Sequence, residues 1–112
     1  MGDLNDDPTD RSVYKVLGAK GKVKDVEKNG LFNPMWKLYQ KGIGSLAYRD
    51  VWNLFDQIII SEPLLRENAG WQYLKANGPY AGYPFRTFAG GAYAGGYSDH
   101  FPTYLLIVKK GN

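Results

Sequence analysis

Ser45-Leu46-Ala47-Tyr48-Arg49-Asp50-Val51-Trp52-Asn53-Leu54-Phe55-Asp56-Gln57-Ile58-Ile59-Ile60-Ser61 is the stretch whose reading decides the fold. Branched and aromatic residues dominate it, and the polar pair Arg49-Asp50 divides it. It therefore reads as two antiparallel strands, 45–50 and 51–61, joined by a tight link. In the second strand Trp52, Leu54, Asp56, Ile58 and Ile60 share one face at period two. Asp56 thus falls in an apolar row, where a carboxylate needs a partner or a polar pocket. The sequence offers His100, Arg49 or Arg86 as that partner, and spacing does not choose among them.

Working outward, Glu62-Pro63 ends the strand and Leu64-Leu65 makes a helical turn. A weaker strand follows at 71–76 and a clear one at 103–109, closed by Lys109-Lys110. Residues 77–97 between them are dense in Gly, Pro and Tyr. Ala89-Gly90-Gly91-Ala92-Tyr93 is echoed by Ala94-Gly95-Gly96-Tyr97, but two copies do not make a repeat architecture. Upstream, Asn33 caps and Pro34 opens a short helix carrying Met35, Trp36, Leu38 and Tyr39, which Gly42 and Gly44 end. Residues 18–30 form a loop rich in Gly and Lys. Asp7-Pro8-Thr9-Asp10 starts a helix whose apolar face is Val13, Val16 and Leu17, stopped at Gly18. Residues 1–5 read as a strand running into a loop.

The chain of 112 residues makes one domain or part of one. Its 44% hydrophobic and 15% aromatic content exclude the disordered class. A net charge of +3 and a pI near 9.1 favour anionic partners without identifying one. The absence of cysteine excludes disulfides and thiolate metal sites. No apolar run approaches the ~18 residues that span a bilayer. No leader peptide is visible, and the compartment is left open.

Two polar motifs near the ends carry the chemistry. In Gly2-Asp3-Leu4-Asn5-Asp6-Asp7-Pro8, Asp3 and Asn5 are two apart, so an extended backbone points both to one side. A carboxylate orients or deprotonates water, and a neutral amide donates to phosphate oxygens without repelling them. A calcium loop starting at Asp3 would need Gly where Pro8 stands and Glu where Tyr14 stands, so that possibility is rejected. In Ser98-Asp99-His100-Phe101-Pro102, the single histidine sits where a Gly-rich loop meets the last strand. A carboxylate on one imidazole nitrogen fixes the tautomer and raises the basicity of the other, which would also account for Asp56. Lys20, Lys22, Lys24 and Lys28, and the tyrosines at 80, 83, 93 and 97, are the residues a nucleic-acid partner would use. A solvated loop and ordinary packing are the simpler accounts of both sets.

Together, Gly2-Asp3-Leu4-Asn5 with Asp7-Pro8, Trp52-x-x-x-Asp56-x-Ile58 and Ser98-Asp99-His100-x-Pro102 resemble the endonuclease/exonuclease/phosphatase family of DNase I-like fold, in order and with fitting intervals. The stretches 44–61 and 82–102 look closest to bacterial members of unassigned substrate. The resemblance covers residues 1–112 and implies the C-terminal half of the family domain. The fold expected is α+β, a mixed, mostly antiparallel sheet with helices on one face, half of a four-layer α/β sandwich. The resemblance implies that Asp3 positions the attacking water, Asn5 hydrogen-bonds the phosphate and Asp56 orients His100. It implies that His100 contacts the scissile phosphate or acts as acid/base, and that Asp99 lies near the metal. The implied reaction is hydrolysis of a phosphodiester or phosphomonoester by activated water, assisted by Mg²⁺ or Mn²⁺. The main metal-binding glutamate is expected outside this chain, in the N-terminal half of the same domain. The chain alone is therefore expected to be nearly inactive. An exposed inner sheet face leads us to expect self-association or marginal stability. A non-catalytic interaction module and a nucleic-acid-binding module that keep the fold are the alternatives.

Overall fold

The computed structural model describes residues 1–66, 71–77, 86, 88–96 and 98–109, and for 71–77 the backbone. Among these residues short strands dominate. They are β1 (Gly2–Asp3), β2 (Ala19–Lys20), β3 (Leu31–Phe32), β4 (Leu46–Tyr48), β5 (Val51–Asn53), β6 (Asp56–Gln57), β7 (Ile60–Ser61), β8 (Trp71–Asn77), β9 (Phe88–Ala89), β10 (Ala92–Tyr93) and β11 (Tyr104–Lys109). One α-helix, α1 (Met35–Gln40), lies between β3 and β4. The fold is mixed α+β with mostly antiparallel pairing, as expected, and the sheet is divided into small ladders. These are β1–β6, β4–β5, β8–β11, β9–β10, and β3 flanked by β2 and β7, with β2–β3 the parallel pair. No helix among the described residues is long and apolar enough to cross a membrane.

The hairpin at 45–61 forms, with Tyr48 opposite Val51 and Leu46 opposite Asn53. Its second arm is not one strand, however. It breaks at Leu54-Phe55 and continues as β6 and β7, each in a different ladder. The cause is competition for the backbone. Leu54 N–H donates to Asp7 Oδ1 at 2.7 Å, and Phe55 C=O accepts from Leu4 N–H at 2.9 Å, so the N-terminal segment replaces β4 as partner. The period-two alternation fails accordingly, because Gln57 is as buried as Leu54 and Ile60.

The expected helix after Asp7-Pro8 shrinks to a π-helical turn, Ser12–Val16. The Asp7 N–H donates to Asp10 Oδ2 and the Asp7 carbonyl accepts from Asp10 N–H, which folds 7–10 into a turn first. Val13 is buried, whereas Val16 and Leu17 face solvent, contrary to the expected apolar face. The loop at 18–30 contains β2 and a 3-10 turn, Val23–Asp25. The Lys20 ammonium lies 4.9 Å over the Tyr14 ring, while Lys22, Lys24 and Lys28 are exposed. A Cβ on Gly21 would overlap the Trp36 indole, so only glycine fits this crossing.

The start of α1 is as expected, with Asn33 Oδ1 accepting from Met35 N–H at 3.0 Å. A 3-10 turn, Glu62–Leu65, follows β7. β8 and β11 pair from Asn77–Tyr104 to Trp71–Lys109, with the register shifting between Leu106 and Ile107. The apolar core is thin: Val13, Ala19, Phe32, Met35, Ala47, Leu54 and Ile60. Buried polar side chains, Asp7, Asn33, Ser45 and Gln57, complete it. Among the described residues every buried side-chain nitrogen or oxygen has a hydrogen-bond partner. Tyr80 and Tyr83, Tyr97 and Lys110 lie outside the described residues.

Candidate active site

The site is built where three segments meet, and Ser45 is their clamp. This fully buried residue donates its N–H to the Asn53 carbonyl at 2.8 Å. Its hydroxyl oxygen accepts from Asp56 N–H at 3.2 Å, and its carbonyl accepts from Phe101 N–H at 2.6 Å. One residue thus fixes both Asp56 and the segment that bears His100. Phe101 adds a second anchor by stacking on Trp52, with centroids 6.2 Å apart and planes within 7°.

The consequence is a close pair. His100 Nδ1 and Asp56 Oδ2 are 2.7 Å apart, and each side chain is 23% exposed. Both are therefore partly screened from solvent. The structure thus gives Asp56 the imidazole as partner rather than an arginine. Arg86 instead donates to the Ala47 carbonyl, and Arg49 lies over the Tyr48 ring at the hairpin tip. His100 N–H donates to Ser98 Oγ at 3.0 Å, which shapes the loop before it.

β1 brings the opening motif to the same place. It pairs antiparallel with β6 so that Asp3 stands directly opposite Asp56. Directly opposed residues share a face, and two carboxylates there repel. The imidazole on Asp56 offsets part of that repulsion. Asp3 Oδ1 accepts from Asn5 N–H at 2.9 Å, and Asn5 has left-handed backbone, φ 52°. Asparagine tolerates this conformation well, and the turn keeps the exposed Asn5 beside the end of β1. An open groove of about 360 Å³ lies alongside, lined by Met1, Gly2, Asp56, Gln57, Ile58 and Thr103.

Asp7 and Gln57 hold this arrangement from beneath; sequence reasoning took Asp7 only as part of a helix start and assigned Gln57 no role. Asp7 Oδ1 accepts from Leu54 N–H and Oδ2 from Asn53 Nδ2, both at 2.7 Å. Burial, and secondarily the Asp7 charge, push the Tyr39 phenol above its ordinary pKa. Gln57 Nε2 donates to the Asp6 carbonyl at 2.5 Å, and Gln57 Oε1 accepts from Asn33 Nδ2 at 2.7 Å. The signal in the sequence was the polar pair Asp56-Gln57 within an apolar run.

Asp99 is exposed, one residue before His100. Among the described residues no three Asp, Glu or His side chains converge to hold a metal ion. Asp3, Asp56 and Asp99 therefore do not amount to a metal centre on their own.

The dyad, a facing carboxylate and an amide beside an open groove can move a proton and bind an oxyanion. Residues 1–109 match the model of the Endonuclease/Exonuclease/phosphatase family. No curated protein and no solved structure gives a significant match. A match over nearly the whole length, carried by a chain whose end motifs meet at one pair of strands, leads to one assignment. The chain belongs to the endonuclease/exonuclease/phosphatase family.

Proposed function

We propose that this chain supplies the phosphate-handling side of a phosphoester-hydrolysing site in which His100, held by Asp56, transfers the proton. The observation that carries this is the 2.7 Å contact between His100 Nδ1 and Asp56 Oδ2. An ionised carboxylate only accepts hydrogen bonds, so Nδ1 carries the hydrogen and Nε2 keeps its lone pair. Nε2 takes a proton from water attacking phosphorus, and the imidazolium then returns one to the departing oxygen. Asp56 stabilises the imidazolium between these steps. Asp3 orients the water, and the Asn5 amide donates to a non-bridging phosphoryl oxygen.

Family members generally employ divalent metals. We place the principal Mg²⁺ or Mn²⁺ ligand on the N-terminal half of the same domain, outside these 112 residues, with Asp99 near that centre. The 112-residue chain alone is then nearly inactive. The test is the initial rate of the natural protein with Mg²⁺ on DNA, RNA and small phosphoesters. His100→Ala is expected to lower the rate by about 10²- to 10⁴-fold, the usual weight of acid–base catalysis. Equal rates in the two proteins would overturn the assignment.

A further inference from the structure

The β4–β5 hairpin turns through Arg49 and Asp50, both with left-handed backbone, φ 48° and 63°. Two central residues at positive φ define the type I′ turn, normally filled by Asn-Gly. Arginine is uncommon there, and a costly residue at a turn tip points to a use for its side chain. The β9–β10 hairpin turns through Gly90 and Gly91 at φ 57° and 83°, where glycine meets no penalty.

Arg86 joins the two hairpins. Its guanidinium donates to the Ala47 carbonyl, and its own carbonyl accepts from Gly96 N–H at 3.0 Å. Between the tips is an open pocket of about 460 Å³ lined by Ala47, Arg49, Asp50, Arg86 and the Gly90 edge of β9–β10. Two guanidinium groups against one carboxylate leave it net positive. On the same hairpin Phe88 and Tyr93 are 59% and 74% exposed, edge to face at 5.7 Å. The Arg49 guanidinium lies 5.3 Å over the Tyr48 ring.

This pocket shares a scaffold with the dyad. Ser45, the clamp on Asp56, precedes Arg49 by four residues, roughly 14 Å of extended chain at about 3.4 Å per residue. Ala47 pairs with Trp52, which stacks on Phe101 beside His100. Arg49 thus stands at the tip of the hairpin whose base carries Ser45, which suits it to a phosphate other than the one at His100.

We propose that Arg49 and Arg86 bind a second, non-scissile phosphate while Phe88 and Tyr93 stack on an adjacent base, so the preferred substrate is single-stranded nucleic acid. Guanidinium groups take phosphate oxygens in pairs, and aromatic faces stack on any base. A phosphorylated sugar would engage the arginines and leave the exposed rings unused, which is why nucleic acid is favoured. The proposal rests on phosphoester hydrolysis at the dyad for its scissile phosphate, and its test separates the two.

Binding of a labelled short oligo-dT to the natural protein is read by fluorescence anisotropy, with hydrolysis of bis(p-nitrophenyl) phosphate as the parallel assay. Arg49→Asn suits the left-handed turn, so any loss reports the guanidinium rather than misfolding. It is expected to weaken oligo-dT binding and reduce the salt slope by about one. Phe88→Ala with Tyr93→Ala is expected to weaken binding about 5- to 150-fold, the usual range for lost base stacking. Small-ester hydrolysis should be unchanged in both variants. Unchanged oligo-dT affinity in either variant would overturn the proposal, as would equal affinity for inositol hexakisphosphate in the wild type and the aromatic double variant together with unchanged oligo-dT binding. A wild type inactive on the small ester would count against the dyad chemistry, while the binding arms would still decide this site.

Discussion

Asp7 is 6% exposed, and its carboxylate is satisfied by two neutral donors, the Leu54 N–H and the Asn53 amide. That satisfaction fastens the loop after β1 to the chain just before β6, and so sets Asp3 against Asp56. Asp7→Ala strands a buried N–H and a part-buried amide, and should cost about 2–4 kcal/mol in urea unfolding. Asp7→Asn keeps one acceptor oxygen and should cost less. The raised pKa of Tyr39 means that folding favours the neutral phenol. Its contribution is complete below the ordinary tyrosine value of 10.0 and is lost as pH rises through the higher folded value. Stability should therefore fall more steeply above pH 10 in the wild type than in Tyr39→Phe, as unfolding midpoints across that range will show. The need of Asp56 for a partner was legible in the sequence, but the choice of His100 was not. It depends on Phe101 meeting Ser45 and Trp52, contacts across some fifty residues that no local pattern encodes. Ser45 was illegible for a related reason, since hydrophobic periodicity is blind to a buried hydroxyl whose partners come from distant segments.

Among the elements, α1, the β4–β5 hairpin, β8 and β11 were readable because capping and runs of branched and aromatic residues agree locally. The break at Leu54-Phe55 was not, because its cause is a competing backbone partner from the N-terminus. Gly44 marks where the hairpin can tolerate nothing larger. A Cβ there would stand 2.7 Å from the Asn53 carbonyl oxygen and 3.0 Å from its nitrogen, both backbone atoms. Gly44→Ala should separate the strands next to Ser45, cost about 1–3 kcal/mol and lower activity through the loosened dyad. At the other end of this stretch, the Glu62 carboxylate receives two hydrogen bonds from Arg66 and one from Asn29 N–H. Arg66, more than the Asn29 N–H and Lys28, holds Glu62 below the ordinary value of 4.5. A lowered folded pKa contributes stability above pH 4.5 that disappears as pH falls through the folded value. Glu62→Gln should accordingly lower the unfolding midpoint slightly at pH 7 and not at pH 3, with exposure keeping the effect small.

The molecule as a whole is open. Its radius of gyration is 15.7 Å, against roughly 13 Å for a compact chain of this length. It exposes 7498 Å², against roughly 6200 Å² for a compact monomer of this mass. Leu106, Ile107 and Val108 are each about 40% exposed in succession, so both faces of β11 meet water. Exposed apolar surface of this kind favours self-association in solution. Molar mass by light scattering should rise with concentration; a monomer throughout the accessible range would contradict this. The family was legible because three polar motifs keep their order along the chain, and the division into small ladders was not, because it is decided by pairing between distant segments.

A single histidine makes the central claim directly measurable in the chain itself, because its ring nitrogens give one set of signals. A long-range ¹H–¹⁵N spectrum of neutral His100 reports which nitrogen bears the hydrogen. A dyad with Asp56 predicts hydrogen on Nδ1 and a lone pair on Nε2, and predicts that Asp56→Asn shifts the ring away from that tautomer. Hydrogen on Nε2 in the wild type, unaltered by Asp56→Asn, would contradict it.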